Sequence, residues 1–381
     1  MERVIIVGAG LSGATMARLY AESGKDVIVI DKRENIGGNA YDFTDKNGII
    51  VQPFGPHIFH TEDKKVFDFL SRFTTWREYE HRVLAKVRKD KFVPVPFNLT
   101  SLFTLYSPDK AEKIKKILIE QIGFDKKVPI MQLKKHENAD VRKFADFVYK
   151  NIFYIYSLKQ WGIKPEYLSG EIMNRVPVYL SYEDRYFTDK YQYMPEYGFT
   201  EMVANMLRHP QIKLKLRTDA KSQLTFDNGD IYFGGKLFTG KVIYTGCIDE
   251  LFDYEYGELP YRSIKFKFKL VKTPSYQPSA VVNYTTSHNY TRITEFTKFT
   301  CPKKENTVIV KEYPKAFKRG RDIPYYPIPM EKNKAHYEKY KKLANRYENL
   351  YLLGRLARYE YINMDVAVRK AMDLFEKIEQ E

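Results

Sequence analysis

The chain opens with two short runs of apolar residues that are separated by an amphipathic stretch. The runs cover residues 3–8 (RVIIVG) and 26–31 (DVIVID), and short β-branched runs are typical of buried parallel strands. Between them, residues 11–24 carry apolar positions at helical spacing and end on Gly24, a residue type that favours the end of a helix. The pattern predicts a strand–helix–strand unit.

The next stretch, from about residue 62 to 170, follows the helical period. Apolar residues recur at intervals of three and four in residues 63–73, 111–124 and 140–162, which predicts amphipathic helices. A short strand pair is predicted to interrupt them at residues 82–97. The stretch therefore indicates a mainly helical block that is inserted after the first unit.

From about residue 176 to 320, apolar and polar positions alternate. A period of two is typical of strands with one buried face, and the segments together predict an antiparallel sheet. The candidate strands are residues 213–218, 231–238, 263–271, 279–285, 290–296 and 307–314. Near the C-terminus, a strand and a glycine turn are predicted at residues 350–359 and an amphipathic helix at 364–380.

Composition places the chain among globular proteins that keep their cysteines reduced. Of 381 residues, 44% are hydrophobic, so the chain can bury a large core. Its two cysteines, Cys247 and Cys301, are too few for a disulfide framework or a zinc cluster. Neither a signal peptide nor a membrane-spanning run is recognisable, and we expect a cytoplasmic protein without membrane insertion.

The charge of the chain indicates an anionic partner. Lysine and arginine number 63 against 48 aspartates and glutamates, a formal charge of +15. Such a protein can bind nucleic acid, an anionic membrane or an anionic small molecule. The basic residues are scattered without a nucleic-acid module signature, so we expect no nucleic-acid partner. The 31 tyrosines and 25 phenylalanines suit a ligand with a flat ring and phosphates.

A glycine-rich turn follows the first predicted strand. Gly8, Gly10 and Gly13 have the spacing G-x-G-x-x-G, and Asp31 ends the second strand 18 residues after Gly13. The glycines allow a tight turn and a close approach of the backbone to a pyrophosphate, which the following helix N-terminus attracts. The carboxylate is then placed to take the ribose hydroxyls. This context predicts a dinucleotide-binding site.

The sequence favours FAD over NAD as this dinucleotide. Arg33 follows the acidic residue, and residues 37–39 (GGN) supply a second glycine turn that can face the pyrophosphate. Residues 242–246 and 352–355 are placed where FAD folds of this type return to the cofactor. The preference rests on fold analogy.

Two histidines, His57 and His60, lie three residues apart in the segment FGPHIFHT (54–61). One helical turn would place both on one face, as in a metal site. Gly55 and Pro56 argue against a helix, and a metal would need a third ligand that the segment does not supply. We therefore predict no metal site here.

Aromatic and arginine residues in further motifs can surround a nucleotide. Tyr156 and Trp161 lie close together in YSLKQWG, and such a pair can stack on a base or cover a sugar. Arg175 precedes a valine–proline step, and Arg292 lies in a predicted strand. Two arginines in one cleft would suit a diphosphate, because guanidinium groups match phosphate oxygens bidentately. Sequence alone does not show whether the two converge.

Taken together, these motifs resemble the bacterial UDP-galactopyranose mutase family over essentially the whole chain. The resemblance is carried by VIIVGAGLSGA, IGGNAYD, FGPHIFHT, YSLKQWG, RVPV, RYFTDKYQYMP, VIYTGCIDELFDYEYGELPYRS, YTRITE, VKEYP, YYP and GRLARYEYINMDVAV. It implies FAD, active as reduced FADH-, and a UDP-hexose substrate. It also implies a redox-neutral exchange of UDP-galactopyranose and UDP-galactofuranose, in which flavin N5 attacks the anomeric carbon. Relatives are often dimers, so we expect a homodimer.

The resemblance and the patterns together predict an α/β fold with a Rossmann-like FAD-binding domain, an inserted helical domain and an antiparallel β-sheet domain. The FAD-binding domain is expected at residues 1–75, 236–261 and 336–381, the helical substrate-side domain at 76–170, and the sheet domain at 171–235 and 262–335.

The resemblance also assigns expected roles to particular residues. The candidate catalytic residues are Arg175 and Arg292, which would clamp the diphosphate, and His57 and His60, which would lie beside the flavin ring. The candidate substrate-binding residues are Tyr156, Ser157, Trp161, Tyr186, Asn283, Glu295, Tyr313, Tyr361, Asn363 and His81. The candidate cofactor-binding residues are Gly8, Gly10, Ser12, Gly13, Asp31, Lys32, Arg33, Gly38, Asn39, His57, Gly354, Arg355 and Met364.

Within this set, the resemblance implies that Tyr156 stacks on the uracil and that Trp161 lines the sugar pocket. The hydroxyl groups of Tyr186, Tyr313 and Tyr361 would bind the phosphates.

Four residues depart from the common family pattern. Asn363 stands where relatives commonly carry Asp, Ser157 where they carry Thr, His81 where Asn is usual, and Pro56 where Ala is usual. Because one polar contact can decide which hydroxyl a site accepts, the alternative is the same chemistry on UDP-N-acetylgalactosamine, a 6-deoxyhexose or a heptose. A rival from another class is an FAD amine oxidase or desaturase-like oxidoreductase, which shares the glycine motifs.

Overall fold

The structure is a computed structural model that describes residues 2–88, 91–167, 177–300 and 304–380. In chain order, its strands are β1 (Arg3–Val7), β2 (Asp26–Ile30), β3 (Phe43–Thr44), β4 (Ile50–Val51), β5 (Phe59–Thr61), β6 (Trp76–Glu78), β7 (Val83–Arg88), β8 (Lys91–Val95), β9 (Lys127–Val128), β10 (Val178–Tyr179), β11 (Tyr191–Pro195), β12 (Ile212–Lys215), β13 (Leu224–Asp227), β14 (Asp230–Phe233), β15 (Lys236–Leu237), β16 (Lys241–Tyr244), β17 (Tyr261–Val271), β18 (Val281–Tyr284), β19 (Arg292–Glu295), β20 (Thr307–Ala316), β21 (Tyr326–Pro327) and β22 (Leu350–Leu352).

The helices follow the same order along the chain. They are α1 (Leu11–Glu22), α2 (Lys64–Ser71), α3 (Leu99–Leu105), α4 (Pro108–Ile122), α5 (Ile130–Leu133), α6 (Ala139–Val148), α7 (Ile155–Trp161), α8 (Phe199–Leu207), α9 (Ile248–Leu251), α10 (Thr297–Thr300), α11 (Glu331–Ala344), α12 (Gly354–Ala357) and α13 (Met364–Gln380). Short 3-10 turns occupy Gly38–Ala40, Pro165–Tyr167 and Ala220–Ser222. Among these helices, none is long and apolar enough to cross a membrane.

The first sheet is parallel throughout and has the strand order β12-β2-β1-β16-β22. Its central strand β1 is covered on both faces: Val4 and Ile6 pack into one core, and Ile5 and Val7 into another. This double burial explains why the first apolar run is uninterrupted. Helix α1 follows β1, packs against α13 and α8, and ends just before Gly24. The predicted strand–helix–strand unit is confirmed.

The prediction for residues 213–218 is wrong. They were expected in the antiparallel sheet, but β12 pairs parallel with β2 at the edge of the first sheet. A period of two indicates a strand but not the direction in which it pairs, so the pattern alone does not distinguish the two sheets. The other described strands of residues 171–235 also lie outside the larger sheet, since β10 pairs with β9, β11 with β5 and β6, and β13 with β14.

The larger sheet has seven strands in the order β21-β17-β20-β19-β18-β7-β8. Most neighbours are antiparallel, as predicted, but β18 pairs parallel with β7. The sheet is therefore mixed, because the strand pair predicted at residues 82–97 joins its edge instead of standing within the helical block.

Strand register divides the side chains of this sheet between two faces. Asn283, Arg292 and Glu312 are direct partners on neighbouring strands and therefore share one face, which we call the cleft face. Side chains alternate along a strand, so Tyr313 and Glu295 point to the opposite face, which we call the outer face.

The predicted helix over residues 140–162 is divided into α6 and α7. The residues between them, Tyr149–Tyr154, form π-helical turns, a feature that recurs near functional sites. Arg262 of β17 then donates to the carbonyl oxygens of Gln160 (2.9 Å) and Lys159 (3.2 Å), which satisfies the C-terminal end of α7. This contact fixes α7 beside the larger sheet.

Candidate cofactor and substrate site

The glycine turn after β1 is as tight as the sequence predicts. Gly8 has a φ of +108°, and a Cβ atom there would lie 2.0 Å from the Thr245 hydroxyl. A Cβ atom on Gly13 would lie 1.9 Å from the carbonyl oxygen of Gly8. Both positions need glycine, because any side chain would push α1 away from β1 and β16. The turn can therefore bring its backbone close to a ligand.

The N-terminus of α1 is free to bind an anion. Gly10 is its N-cap residue and offers no side chain to cap the helix, and the first intrahelical bond is from the Ala14 amide to Gly10. The second glycine turn lies directly against the first, since the Gly37 amide donates to Ala9 (2.9 Å) and Gly38 packs on Gly10. Two glycine turns at one helix N-terminus form a cradle for a pyrophosphate.

Asp31 is held in place by the backbone around it. Its carboxylate accepts hydrogen bonds from the amides of Ala9 and Arg33, each at 2.8 Å. The Arg33 side chain donates to Asn39 (3.0 Å) and lies over the ring of Phe54. These bonds fix the edge of the cleft where a ribose would lie.

One cleft brings together every residue that the sequence predicts for cofactor binding. All thirteen line it, namely Gly8, Gly10, Ser12, Gly13, Asp31, Lys32, Arg33, Gly38, Asn39, His57, Gly354, Arg355 and Met364. Thr245, in the predicted returning segment 242–246, lines it too, whereas sequence reasoning missed Thr218, Pro324 and Leu356. The cleft combines two glycine turns, a helix N-terminus and the Asp31 carboxylate, so the residues present fit a dinucleotide.

His57 lies where this cleft meets the larger sheet. Its amide donates to the Gln52 side chain (2.7 Å), and its ring Nδ1 is 2.9 Å from the carbonyl oxygen of Gly55. Only a protonated Nδ1 can donate to that carbonyl, which leaves Nε2 as an acceptor. Burial, helped by the charges of Arg355 and Arg292, lowers the pKa of His57 to about 4. The ring is therefore neutral at pH 7.

The cleft face of the larger sheet carries a buried ion pair. Arg292 Nε lies 2.7 Å from Glu312 Oε1, and Glu312 is almost fully buried. Burial opposes the guanidinium charge, but the adjacent Glu312 carboxylate raises the pKa of Arg292 well above its usual value. Beside them, the buried Oδ1 of Asn283 has no hydrogen-bond partner within the described residues. A buried acceptor without a partner indicates a place where a ligand donates.

Aromatic rings join this ion pair to the cofactor cleft. Trp161 lies 5.6 Å from Tyr361, which lies 5.1 Å from Tyr326. The guanidinium of Arg355, a residue of the cofactor cleft, lies 5.3 Å from the Tyr326 ring and 5.4 Å from the Tyr361 ring. Arg355 is thus the shared wall of the two sites.

Tyr156 belongs to the same group. Its pKa is raised mainly by burial, and the charges of Arg292 and Glu312 and the hydroxyls of Tyr186 and Tyr361 also act on it. The next residue, Ser157, is buried within α7. The structure therefore brings Tyr156, Trp161, Tyr186, Asn283, Arg292 and Tyr361 together, as the sequence predicts.

The structure does not bring Tyr313 and Glu295 to this site. Tyr313 packs against Tyr290 on the outer face, and the buried Glu295 carboxylate accepts hydrogen bonds from the amides of Tyr276 (2.9 Å) and Gln277 (3.1 Å). Both lie an odd number of residues from a cleft-face position, so the strand turns them away. Glu312 and Tyr326 occupy the site instead: alternation along VKEYP separates Glu312 from Tyr313, and the pairing with Arg292 shows that Glu312 is on the cleft face.

His81 and His60 lie one layer behind these residues. The buried His81 ring is 3.3 Å from the Tyr79 hydroxyl, and its backbone carbonyl accepts from Tyr186 (2.7 Å). His60 stacks on Phe187 and its Nδ1 is 3.1 Å from Asp189. These two contacts hold the His60 ring in place.

Asn363 is exposed just before α13 and lines the cofactor cleft. Arg175 lies outside the described residues. Within the described ranges, no group of three or more histidine, cysteine or acidic residues is placed to hold a metal ion.

The buried histidine His81 predicts a pH dependence of stability. Burial, with the charges of Arg292 and His60, lowers its pKa to about 3, whereas the unfolded chain titrates near 6.5. At pH 5 the His81 side chain is therefore protonated in the unfolded chain but not in the folded protein. Acidification from pH 7 to 5 should lower the free energy of unfolding by about 2 kcal/mol because of this residue. Urea unfolding at both pH values should show this loss in the wild type and its reduction in His81→Asn.

The exposed His288 offers a control for this experiment. It has a φ of +63°, which asparagine tolerates, so His288→Asn should keep the full loss of stability. An equal pH response in His81→Asn and the wild type would contradict a neutral buried His81.

Comparisons with known proteins cover nearly the whole chain. A family model described as UDP-galactopyranose mutase matches residues 151–361, and one described as an NAD(P)-binding Rossmann-like domain matches residues 6–73. A UDP-galactopyranose mutase of Mycoplasma pneumoniae is 33% identical over 99% of this chain and 96% of its own length. A dTDP-fucopyranose mutase of Escherichia coli is 35% identical over 98% and 97%.

A solved structure shares the fold. A crystal structure of reduced UDP-galactopyranose mutase has a TM-score of 0.76 at 16% identity and covers 100% of this chain and 94% of that chain. The predicted α/β fold with a Rossmann-like domain is thereby confirmed. The extent of the family match and the coverage of these relatives show that this chain is a mutase-type enzyme and belongs to the UDP-galactopyranose mutase family.

Proposed function

We propose that the protein is a flavin-dependent mutase that interconverts UDP-galactopyranose and UDP-galactofuranose. The observation that carries the proposal is the shared wall at Arg355, where a dinucleotide cleft adjoins a pocket with a buried arginine and several tyrosines. A nucleoside diphosphate sugar needs such a pocket: rings for the base, cations for the diphosphate and hydroxyl groups for the sugar.

We propose FAD, in its reduced form, as the occupant of the cofactor cleft. The glycine cradle would hold its pyrophosphate at the N-terminus of α1, and Asp31 would hold its ribose. Bound there, reduced FAD would supply a nucleophilic nitrogen for the anomeric carbon without net electron transfer. The neutral His57 would border the flavin ring with an acceptor nitrogen.

The remaining residues would bind and orient the substrate. Arg292 would hold the diphosphate, together with Arg175, and Tyr156 would stack on the uracil. Trp161 would line the sugar pocket, and the unpartnered Oδ1 of Asn283 would accept a hydrogen bond from the substrate. In this arrangement the leaving UDP stays bound, so that it can return after the sugar ring has rearranged.

Tyr326 would take the role that the family resemblance implies for Tyr313. Burial raises the pKa of Tyr326 to about 12, so its hydroxyl stays protonated and can donate to a phosphate. Tyr326→Phe should therefore lower kcat/KM about 10- to 100-fold, since a hydrogen bond to a charged group is worth about 1.5–3 kcal/mol. Tyr313→Phe, on the outer face, should stay within about twofold. The reverse ranking of the two variants would contradict this assignment.

A second candidate is the same chemistry on another nucleotide sugar. It is favoured by the similarity to a dTDP-fucopyranose mutase at 35% identity, as high as the similarity to UDP-galactopyranose mutases. Sequence similarity to the rival oxidoreductase class is much shorter: amine oxidase B of Rattus norvegicus matches over only 16% of this chain.

A substrate panel tests the proposal. The protein is reduced with dithionite and incubated with UDP-galactopyranose, UDP-N-acetylgalactosamine and dTDP-fucopyranose, all in the pyranose form, and the furanose products are separated by chromatography. We expect the highest kcat/KM with UDP-galactopyranose. A higher value with either other sugar would assign the second candidate instead, and conversion of none of them with flavin bound would reject both.

A further inference from the structure

The outer face of the seven-stranded sheet takes no part in the proposed reaction. It has an apolar cluster of its own, made of Val282, Tyr284, Tyr290, Ile293 and Ile309 with Leu84, Phe92, Val271 and Tyr313 at its margin. Every member belongs to a strand of this sheet or to the loop between β18 and β19, and none belongs to a described helix. Among the described residues, this apolar cluster is therefore built only from strands and a loop of its own sheet.

Five lysines share the outer face with this cluster, and we call them the lysine face. They are Lys86, Lys265, Lys267, Lys269 and Lys311. Lys267 and Lys311 are direct partners on β17 and β20, and their amino groups lie 5.0 Å from the Tyr313 ring and 5.1 Å from the Tyr290 ring.

The charge of the lysine face is not neutralised within the described part of the chain. The neighbouring Lys315 on β20 pairs with Asp322, but the structure gives none of the five lysines an acidic partner. Strand alternation places the Glu295 carboxylate on this face, but it is fully buried and accepts hydrogen bonds from backbone amides. The face therefore presents a concentrated positive charge.

We propose that the lysine face docks on the anionic headgroups of a phospholipid bilayer. A sheet offers a broad surface to a bilayer. The methylene groups of its lysines can pack on the tyrosine rings while their amino groups bind lipid phosphates. A second copy of the chain is disfavoured as the partner, because two such faces would repel each other.

The structure favours a bilayer over nucleic acid. Tyr284 is 9% exposed and Tyr290 is 7% exposed, so these rings cannot stack on bases, which single-stranded nucleic acids require. The five residues are all lysines, and arginine, the residue type that reads bases and phosphates bidentately, is absent from the set.

Docking would also orient the enzyme. Lys311 and Glu312 are neighbours in sequence but lie on opposite faces of the same strand. The bilayer and the substrate pocket would therefore lie on opposite sides of one sheet. The pocket would stay open to a water-borne nucleotide sugar while the protein is bound to the membrane.

Vesicle sedimentation of the flavin-loaded protein tests the proposal. Vesicles of phosphatidylcholine alone are compared with vesicles that contain about 30% phosphatidylglycerol, at low salt and at about 0.5 M salt. We expect sedimentation only with phosphatidylglycerol and its loss at high salt. Lys267→Glu/Lys311→Glu should weaken this binding at least about tenfold, since each lysine near an anionic surface contributes about fivefold.

Lys339→Glu/Lys342→Glu is the matched control. These lysines are exposed on α11 and their substitution causes the same change in net charge, so binding should fall by less than about threefold. Thermal unfolding and bound flavin should match the wild type in both variants. If the first pair does not fold, Lys265→Glu/Lys269→Glu replaces it.

Three results would overturn the proposal. The first is the absence of sedimentation with anionic vesicles at low salt, and the second is an equal loss of binding in the control and the lysine-face variant. The third is tighter binding to a single-stranded RNA than to the vesicles, with the same dependence on Lys267 and Lys311, which would make this face a nucleic-acid site.

Discussion

Arg292→Ala is expected to lower kcat/KM by about 30- to 3,000-fold while flavin stays bound. Truncation of a desolvated charge contact costs about 2–5 kcal/mol, and each 1.4 kcal/mol corresponds to a factor of ten. Arg292 lies on the cleft face outside the glycine cradle, so the flavin content should not change. Steady-state kinetics with UDP-galactofuranose and the flavin absorbance of the purified variant measure the two quantities.

A second variant separates catalysis from folding. Arg292→Ala leaves the carboxylate of Glu312 buried without its partner, and this alone destabilises a protein by about 3–5 kcal/mol. Arg292→Ala/Glu312→Gln removes both charges and should recover most of the free energy of unfolding. Activity should remain low in the double variant. Recovery of activity together with stability would show that Arg292 acts only as a structural partner of Glu312.

Gly13→Val is expected to yield protein with less than about a tenth of the wild-type flavin content. The new side chain would begin 1.9 Å from the carbonyl oxygen of Gly8 and 3.3 Å from Ile6, so α1 must move away from β1. That movement opens the cradle and turns the helix N-terminus away from the pyrophosphate. Flavin absorbance relative to protein absorbance gives the occupancy, and added FAD should restore little of it.

Gly24→Ala controls for general damage to α1. Gly24 lies just beyond the other end of the same helix, has a φ of +86°, and has no atom within 4 Å of an added Cβ. Alanine there costs about 1 kcal/mol of conformational strain but leaves the cradle intact. Flavin content should therefore stay near the wild type. An equal loss of flavin in both variants would mean that the effect reflects stability and not the cradle.

The cofactor cleft was predictable from sequence because its determinants are local. The glycine motif, the strand before it and the helix after it form one contiguous stretch of sequence. Gly8, Gly13 and Asp31 all line the cleft, as this stretch predicts. The segments at Thr245 and Gly354, which return to the cofactor cleft, were predicted only by analogy. Their approach to the cleft depends on the pairing of β16 with β1 and of β22 with β16, which are far apart in sequence.

The substrate pocket was less predictable because it depends on strand register. Tyr313 and Tyr326 both precede proline residues in the sequence, but only pairing between β17, β20 and β21 decides which of them reaches Trp161. Glu295 was misassigned for the same reason, since a shift of one residue moves a side chain to the other face. The homodimer, the cytoplasmic location and the role of Arg175 stay predictions.

The most direct test of the account is the electron balance of the reaction. The protein is reduced once with dithionite, freed of excess reductant without oxygen, and supplied with a large excess of UDP-galactofuranose. We predict many turnovers to UDP-galactopyranose per flavin, with the flavin still reduced at the end, and no turnover by the oxidised protein. Product formation that oxidises one flavin per turnover, or equal activity of the oxidised protein, would contradict the redox-neutral mutase.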